Sequence, residues 1–142
     1  MLRKSFPQYP VVPVDISELI KHVGCKNLSD AAAPLHLKSF CSMYGRNKVL
    51  VGGEIGWHFG KWLTERNTTS SSCSSDRYII AHVPDEAAAN CIIVNGTLIR
   101  RTALEFPDSH ATLTSLSAQQ VQVECSELGK VDGALTCCAL LF

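Results

Sequence analysis

Apolar positions recur along this chain in two rhythms, and the order of the rhythms repeats. Phe40 to Met43 and Lys48 to Val51 read as short strands around the turn Gly45, Arg46, Asn47, and Gly52, Gly53 then breaks the extended pattern. Ile55, Phe59 and Leu63 follow at helical spacing, and Tyr78 to Val83 returns to a strand. After Pro84 the same order comes back. Cys91 to Val94 and Thr97 to Arg101 flank the hairpin pair Asn95, Gly96; a helix is expected from about Ser109 to Leu116, and Val121 to Val123 closes the unit as a strand. Two copies of strand, strand, helix, strand, each about 45 residues long, predict an α/β fold of blade-like repeats.

The flanks are less regular. Tyr9 to Val14 alternates prolines with valines, which suits an edge strand or an extended lead-in. Asp15 with Glu18 forms a capping box ahead of the stripe Ile16, Leu19, Ile20, Val23, predicting a short helix that ends near Gly24. Asn27 to Pro34 reads as a loop, as does the Ser/Thr tract Asn67 to Ser75. At the other end the turn Val131, Asp132, Gly133 runs into Ala134 to Leu140, an apolar stretch expected to be a strand with Cys137 and Cys138 on opposite faces. Residues 1–34 thus form a lead-in with an atypical insertion, and 35–142 form the repeated domain.

With 142 residues and 46% hydrophobic content, the chain is long enough to bury a core without metals or disulfides. Thirteen basic residues balance thirteen acidic ones, which argues against nucleic acid as a partner. No apolar run approaches a membrane span. The start carries no apolar segment behind its basic residues, so it does not read as a secretory signal. Seven cysteines without regular spacing then read as reduced cytosolic thiols, and the acceptor triplets at Asn27, Asn67 and Asn95 carry no weight.

Cysteine and histidine bring in the chemistry. A thiol becomes a useful nucleophile when a neighbouring cation or histidine stabilises its thiolate, and Cys137, just inside the strand after the Asp132 turn, can stand at an open rim. Its plainer role is packing, as for Cys138, Cys91 and Cys125. His36, between Leu35 and Leu37, can be a core histidine or a general acid/base, while His22, His58, His82 and His110 look like surface residues. Asp132 by default caps its own turn. A zinc module lacks the CxxC spacing it needs, and no serine triad, phosphate loop or dinucleotide fingerprint is present.

Three blocks carry a resemblance: Leu35 to Met43 (LHLKSFCSM), Val83 to Ile92 (VPDEAAANCI) and Ser126 to Cys138 (SELGKVDGALTCC), with looser agreement through Arg101, Thr102 and the Phe106, Pro107 corner. In this order they resemble the C-terminal half of dimethylarginine dimethylaminohydrolase. The resemblance implies part of a pentein, an α/β propeller of such blades around a polar channel, here an incomplete ring. It implies a cytoplasmic enzyme without cofactors that hydrolyses asymmetric dimethylarginine and monomethylarginine to citrulline and methylamines, supporting nitric oxide synthesis. Cys137 would be the nucleophile, open to inhibitory zinc, and His36 the general acid/base. Val131 would offer its carbonyl to the substrate and Asp132 would lie beside it. The family's guanidinium-holding carboxylates and carboxylate-clamping arginines fall in a first half that this chain lacks, so little or no activity is expected of the chain alone. The alternative is a truncated, non-catalytic module for binding or dimerisation, and homo-oligomer formation is left open.

Overall fold

Both strand-strand-helix-strand units form, and they share one internal plan. The computed structural model describes Pro7 and residues 12–15, 36–70 and 77–140. In the first unit β1 (Cys41–Gly45) and β2 (Lys48–Gly52) make an antiparallel hairpin, and helix α1 (Gly53–Ser70) leads to β3 (Ile79–Val83), which lies parallel to β2. In the second, β4 (Ile92–Val94) and β5 (Thr97–Arg101) form the hairpin, helix α2 (His110–Ser115) crosses over, and β6 (Gln120–Val123) lies parallel to β5. Each hairpin's second strand is central, with orders β1-β2-β3 and β4-β5-β6. A parallel neighbour requires a crossover, which is why a helix separates the last two strands of each unit.

Local chemistry sets the turns. Asn95 and Gly96 take φ of 50° and 80°, the pair of positive values that a two-residue hairpin needs, so Val94 pairs directly with Thr97. The central strand β2 is buried from Val49 through Gly52, because α1 covers one face and the second unit the other. Phe40, Val49, Val51, Ile55 and Phe59 pack between the first sheet and α1, with Val14 of the lead-in against them. Tyr44, Leu50, Val83, Ala88, Ala89, Cys91, Leu98 and Leu113 form a second cluster that joins the units. A third, smaller cluster of Ile92, Cys125 and Leu135 seats the C-terminal turn.

Two expectations give way here. The Ser/Thr tract is helical through Ser70, since no glycine or proline follows Gly60 to interrupt α1. The stretch Ala134 to Leu140 contains no strand; Leu135–Cys138 is a 3-10 turn closed by Cys137 N–H donating to Ala134 O at 3.1 Å. Only Leu135 of that turn is buried, and Cys137 and Cys138 are both exposed rather than on opposite faces of a sheet. The helix predicted after Asp15, including Glu18, and the loop before His36 fall outside the described residues. No helix among the described residues is long and apolar enough to cross a membrane.

Candidate active site

His36 is exposed and stands at the start of the 3-10 turn Leu37–Ser39, its carbonyl accepting Ser39 N–H at 3.0 Å. That exposure removes the core-histidine reading. Of the other histidines, His58, His82 and His110 are half-buried; His82 Nε2–H donates to Gly53 O at 3.0 Å, so that ring serves the start of α1.

Burial separates the thiols chemically. Desolvation pushes the Cys41 thiol up to about 11, and burial, with Cys41 nearby, pushes Cys91 up to about 12. Burial also raises Cys125, against the partial relief of the Arg101 charge. These three stay protonated near neutrality and make poor nucleophiles. Cys137 and Cys138 are the exposed thiols among the described residues.

A buried amide connects the two candidate segments. Asn90 is 2% exposed and follows the 3-10 turn Glu86–Ala89, whose Ala88 and Ala89 anchor in the shared core. Its Nδ2 donates to Lys38 O and to Thr136 Oγ1, both at 2.8 Å, and its Oδ1 accepts Thr136 N–H at 3.1 Å. The amide orientation is fixed, because a backbone N–H can only donate and a backbone carbonyl only accept. Lys38 lies two residues after His36, and Thr136 immediately precedes Cys137. The turn bearing His36 and the turn bearing Cys137 are thus tied to one buried side chain. In sequence Asn90 is only one position of a matching block; a polar residue after three alanines, in a segment otherwise apolar through Val94, is its available sign.

Val131 and Asp132 occupy the exposed turn after α3 (Ser126–Gly129), with Val131 N–H donating to Leu128 O at 3.1 Å and Asp132 N–H to Gly129 O at 3.2 Å. Asp132 takes φ of 60°, a conformation that aspartate tolerates better than most residues. Gly133 N–H donates to the same Leu128 carbonyl at 2.8 Å, which closes the turn and aims the chain at Cys137. The segment leading into this turn is held at Cys125 by Glu105. The Glu105 Oε1 accepts Arg101 Nη2 at 2.5 Å, Arg101 Nε at 3.1 Å and Cys125 N–H at 3.2 Å, while Oε2 accepts the Thr102 backbone N–H at 3.2 Å and Thr102 Oγ1–H at 3.0 Å. The Arg101 guanidinium also lies 4.7 Å from the Phe106 ring centre.

Beside the site, on the seam between β1 and β4, is a cavity of about 670 Å³ whose lining includes Lys38, Cys41, Cys91, Ile92, Thr136 and Leu140. Neither His36 nor Cys137 lines it, so the cavity borders the candidate pair without containing it. No cluster of three or more His, Cys, Asp or Glu side chains able to hold a metal occurs among the described residues.

No family model matches the chain. It is 28% identical over 110 residues, 76% of its length, to N(G),N(G)-dimethylarginine dimethylaminohydrolase of Pseudomonas aeruginosa, of which it spans 37%. Its fold matches a dimethylarginine dimethylaminohydrolase crystallised as the adduct with 4-chloro-2-hydroxymethylpyridine, with a TM-score of 0.54 and 26% identity, over 78% of this chain and 39% of that one. A cysteine-to-serine variant of the Pseudomonas aeruginosa enzyme complexed with citrulline matches with a TM-score of 0.51 and 26% identity, over 74% of this chain and 36% of that one. A protein of Porphyromonas gingivalis assigned as an arginine deiminase shares the fold alone, at 15% identity and a TM-score of 0.53, over 75% of this chain and 38% of that one. The chain therefore spans about two fifths of the proteins it matches, and over three quarters of its own length it is similar in sequence and fold to the dimethylarginine dimethylaminohydrolases.

Proposed function

We propose that this chain carries the nucleophile and the general acid/base of a hydrolase acting on methylated arginines, and that its two units are blades of a pentein propeller completed by residues the chain does not supply. The observation that supports the reading is that the turn following exposed His36 and the turn bearing exposed Cys137 both hydrogen-bond Asn90, within a stretch similar to enzymes of that class. Cys137 thiolate attacks the guanidinium carbon; the C–N bond to the methylated nitrogen breaks as His36 delivers a proton to the departing amine. A covalent thiouronium intermediate remains on sulfur. Water, giving its proton to His36, adds to that carbon, the C–S bond breaks, and citrulline leaves with the thiolate restored. The turn at Val131 and Asp132 supplies a carbonyl and a carboxylate at the rim, fitted to a cationic substrate.

Orientation of the substrate supplies a large share of such a rate, up to about 7–11 kcal/mol in well-aligned systems. A stretch holding only nucleophile, base and rim is accordingly expected to give no measurable turnover alone. The test is citrulline release from asymmetric dimethylarginine by the purified chain and by Cys137→Ser. Absent turnover in both agrees with the reading, as does weak turnover lost in the variant; turnover that survives Cys137→Ser overturns it. The same thiol is expected to be the first alkylated by iodoacetamide, a reagent activated by nothing but the thiolate itself.

A further inference from the structure

We propose that Asn90 is a positioning residue for the Cys137–His36 pair, an assignment that rests on the proposed reading of those two residues. Both turns are short 3-10 segments, and each presents an exposed side chain, so neither turn has packing of its own at the reactive end. What fixes their separation is one buried amide using three of its four hydrogen-bonding sites across them: two N–H donors divided between Lys38 O and Thr136 Oγ1, and Oδ1 held by Thr136 N–H. The arrangement is directional. The donors reach one acceptor in each segment, so withdrawing either turn breaks a bond at a buried group that water cannot readily replace.

Asn90 is itself fixed from both sides. Its backbone N–H donates to Ala87 O at 3.2 Å, and the next residue, Cys91, donates its N–H to Ser42 Oγ at 3.4 Å, locking the segment onto β1. The tie therefore connects the first unit, the link between units and the C-terminal turn. Its position suits a group that holds a thiol and an imidazole in register rather than one that touches substrate.

The adjacent exposed thiol, Cys138, supplies an internal reference. The folded full chain is treated with limiting iodoacetamide at neutral pH, and the ratio of alkylation at Cys137 to that at Cys138 is read by mass spectrometry. With His36 accepting its proton, Cys137 is expected to react about tenfold faster than its neighbour. His36→Ala and Asn90→Ala are each expected to abolish that preference, and the double variant to lose no more than either alone, because both act on one pairing. Thr136→Ser is expected to keep the preference and Thr136→Val to reduce it. A ratio near one in the unmodified chain, or a preference that survives His36→Ala, overturns the pairing and the proposal with it. A preference lost in His36→Ala but kept in folded Asn90→Ala overturns the role of Asn90 alone. Should Asn90→Ala fail to fold, Thr136→Val decides, an unchanged ratio there overturning the proposal.

Discussion

Gly52→Ala is expected to destabilise the folded chain by about 3 kcal/mol, the upper end for overpacking a filled interior. A Cβ built at Gly52 would lie 2.5 Å from Glu86 O, 2.6 Å from Asp85 O and 2.9 Å from Ala89 Cβ. Two of those atoms are backbone oxygens in the turn that delivers Asn90, so no side-chain rotation relieves the clash. Either β2 or the Glu86–Ala89 turn must move, and with the turn goes the tie between the two candidate segments. Urea unfolding followed by circular dichroism should show a lowered midpoint with an unchanged slope. Gly129→Ala is the matched control: its nearest new contact is Arg101 Nη2 at an ordinary 3.5 Å, and it is expected to change stability by less than about 1 kcal/mol.

Glu105→Ala is expected to cost about 3–5 kcal/mol, since it strands a guanidinium that has no other carboxylate partner among the described residues. Both side chains of the Arg101–Glu105 pair are only 9% exposed, and the same carboxylate holds Thr102 and Cys125. Acid should do reversibly what the substitution does. Desolvation alone would raise the Glu105 carboxyl, but hydrogen bonds from Arg101 and Thr102 and the Arg101 charge outweigh it and hold its pKa below the usual 4.5. A depressed folded-state pKa means that this contribution is complete above about pH 4.5 and fades as pH falls through the lower folded value. Unfolding midpoints measured between pH 7 and pH 3 should therefore fall more steeply in the parent chain than in Glu105→Ala. The exposed pair Lys130–Glu127, with side chains 68% and 82% exposed, offers the contrast: Glu127→Gln is expected to change stability by less than about 1 kcal/mol.

The repeat was legible because each element announced itself locally. Asn95, Gly96 fixed a hairpin register, and the Ile55, Phe59, Leu63 spacing marked the buried face of α1. What misled was apolarity without a partner. Ala134 to Leu140 reads as a strand only if another strand lies beside it, and the structure buries Leu135 with Ala139 packed against the same cluster, leaving a 3-10 turn with both thiols in solvent. The end of α1 departs from the expected loop for the converse reason, as serine and threonine weaken a helix without ending it. At the site, His36 and Cys137 are legible as reactive types with a shared resemblance, but the tie between their two turns runs through Asn90, and hydrogen bonds between distant segments have no local periodicity to betray them. Likewise, Glu105 is an ordinary acidic residue in sequence and a five-bond acceptor in the fold.

The central claim is that Cys137, activated by His36, is the nucleophile of this chain. Its most direct test is to incubate the purified chain with limiting iodoacetamide and locate the adduct by mass spectrometry, the thiolate displacing iodide. The first equivalent is expected on Cys137, formed much more slowly in His36→Ala and absent in Cys137→Ser. Adduct divided equally between Cys137 and Cys138, or formed at an undiminished rate without His36, would contradict it.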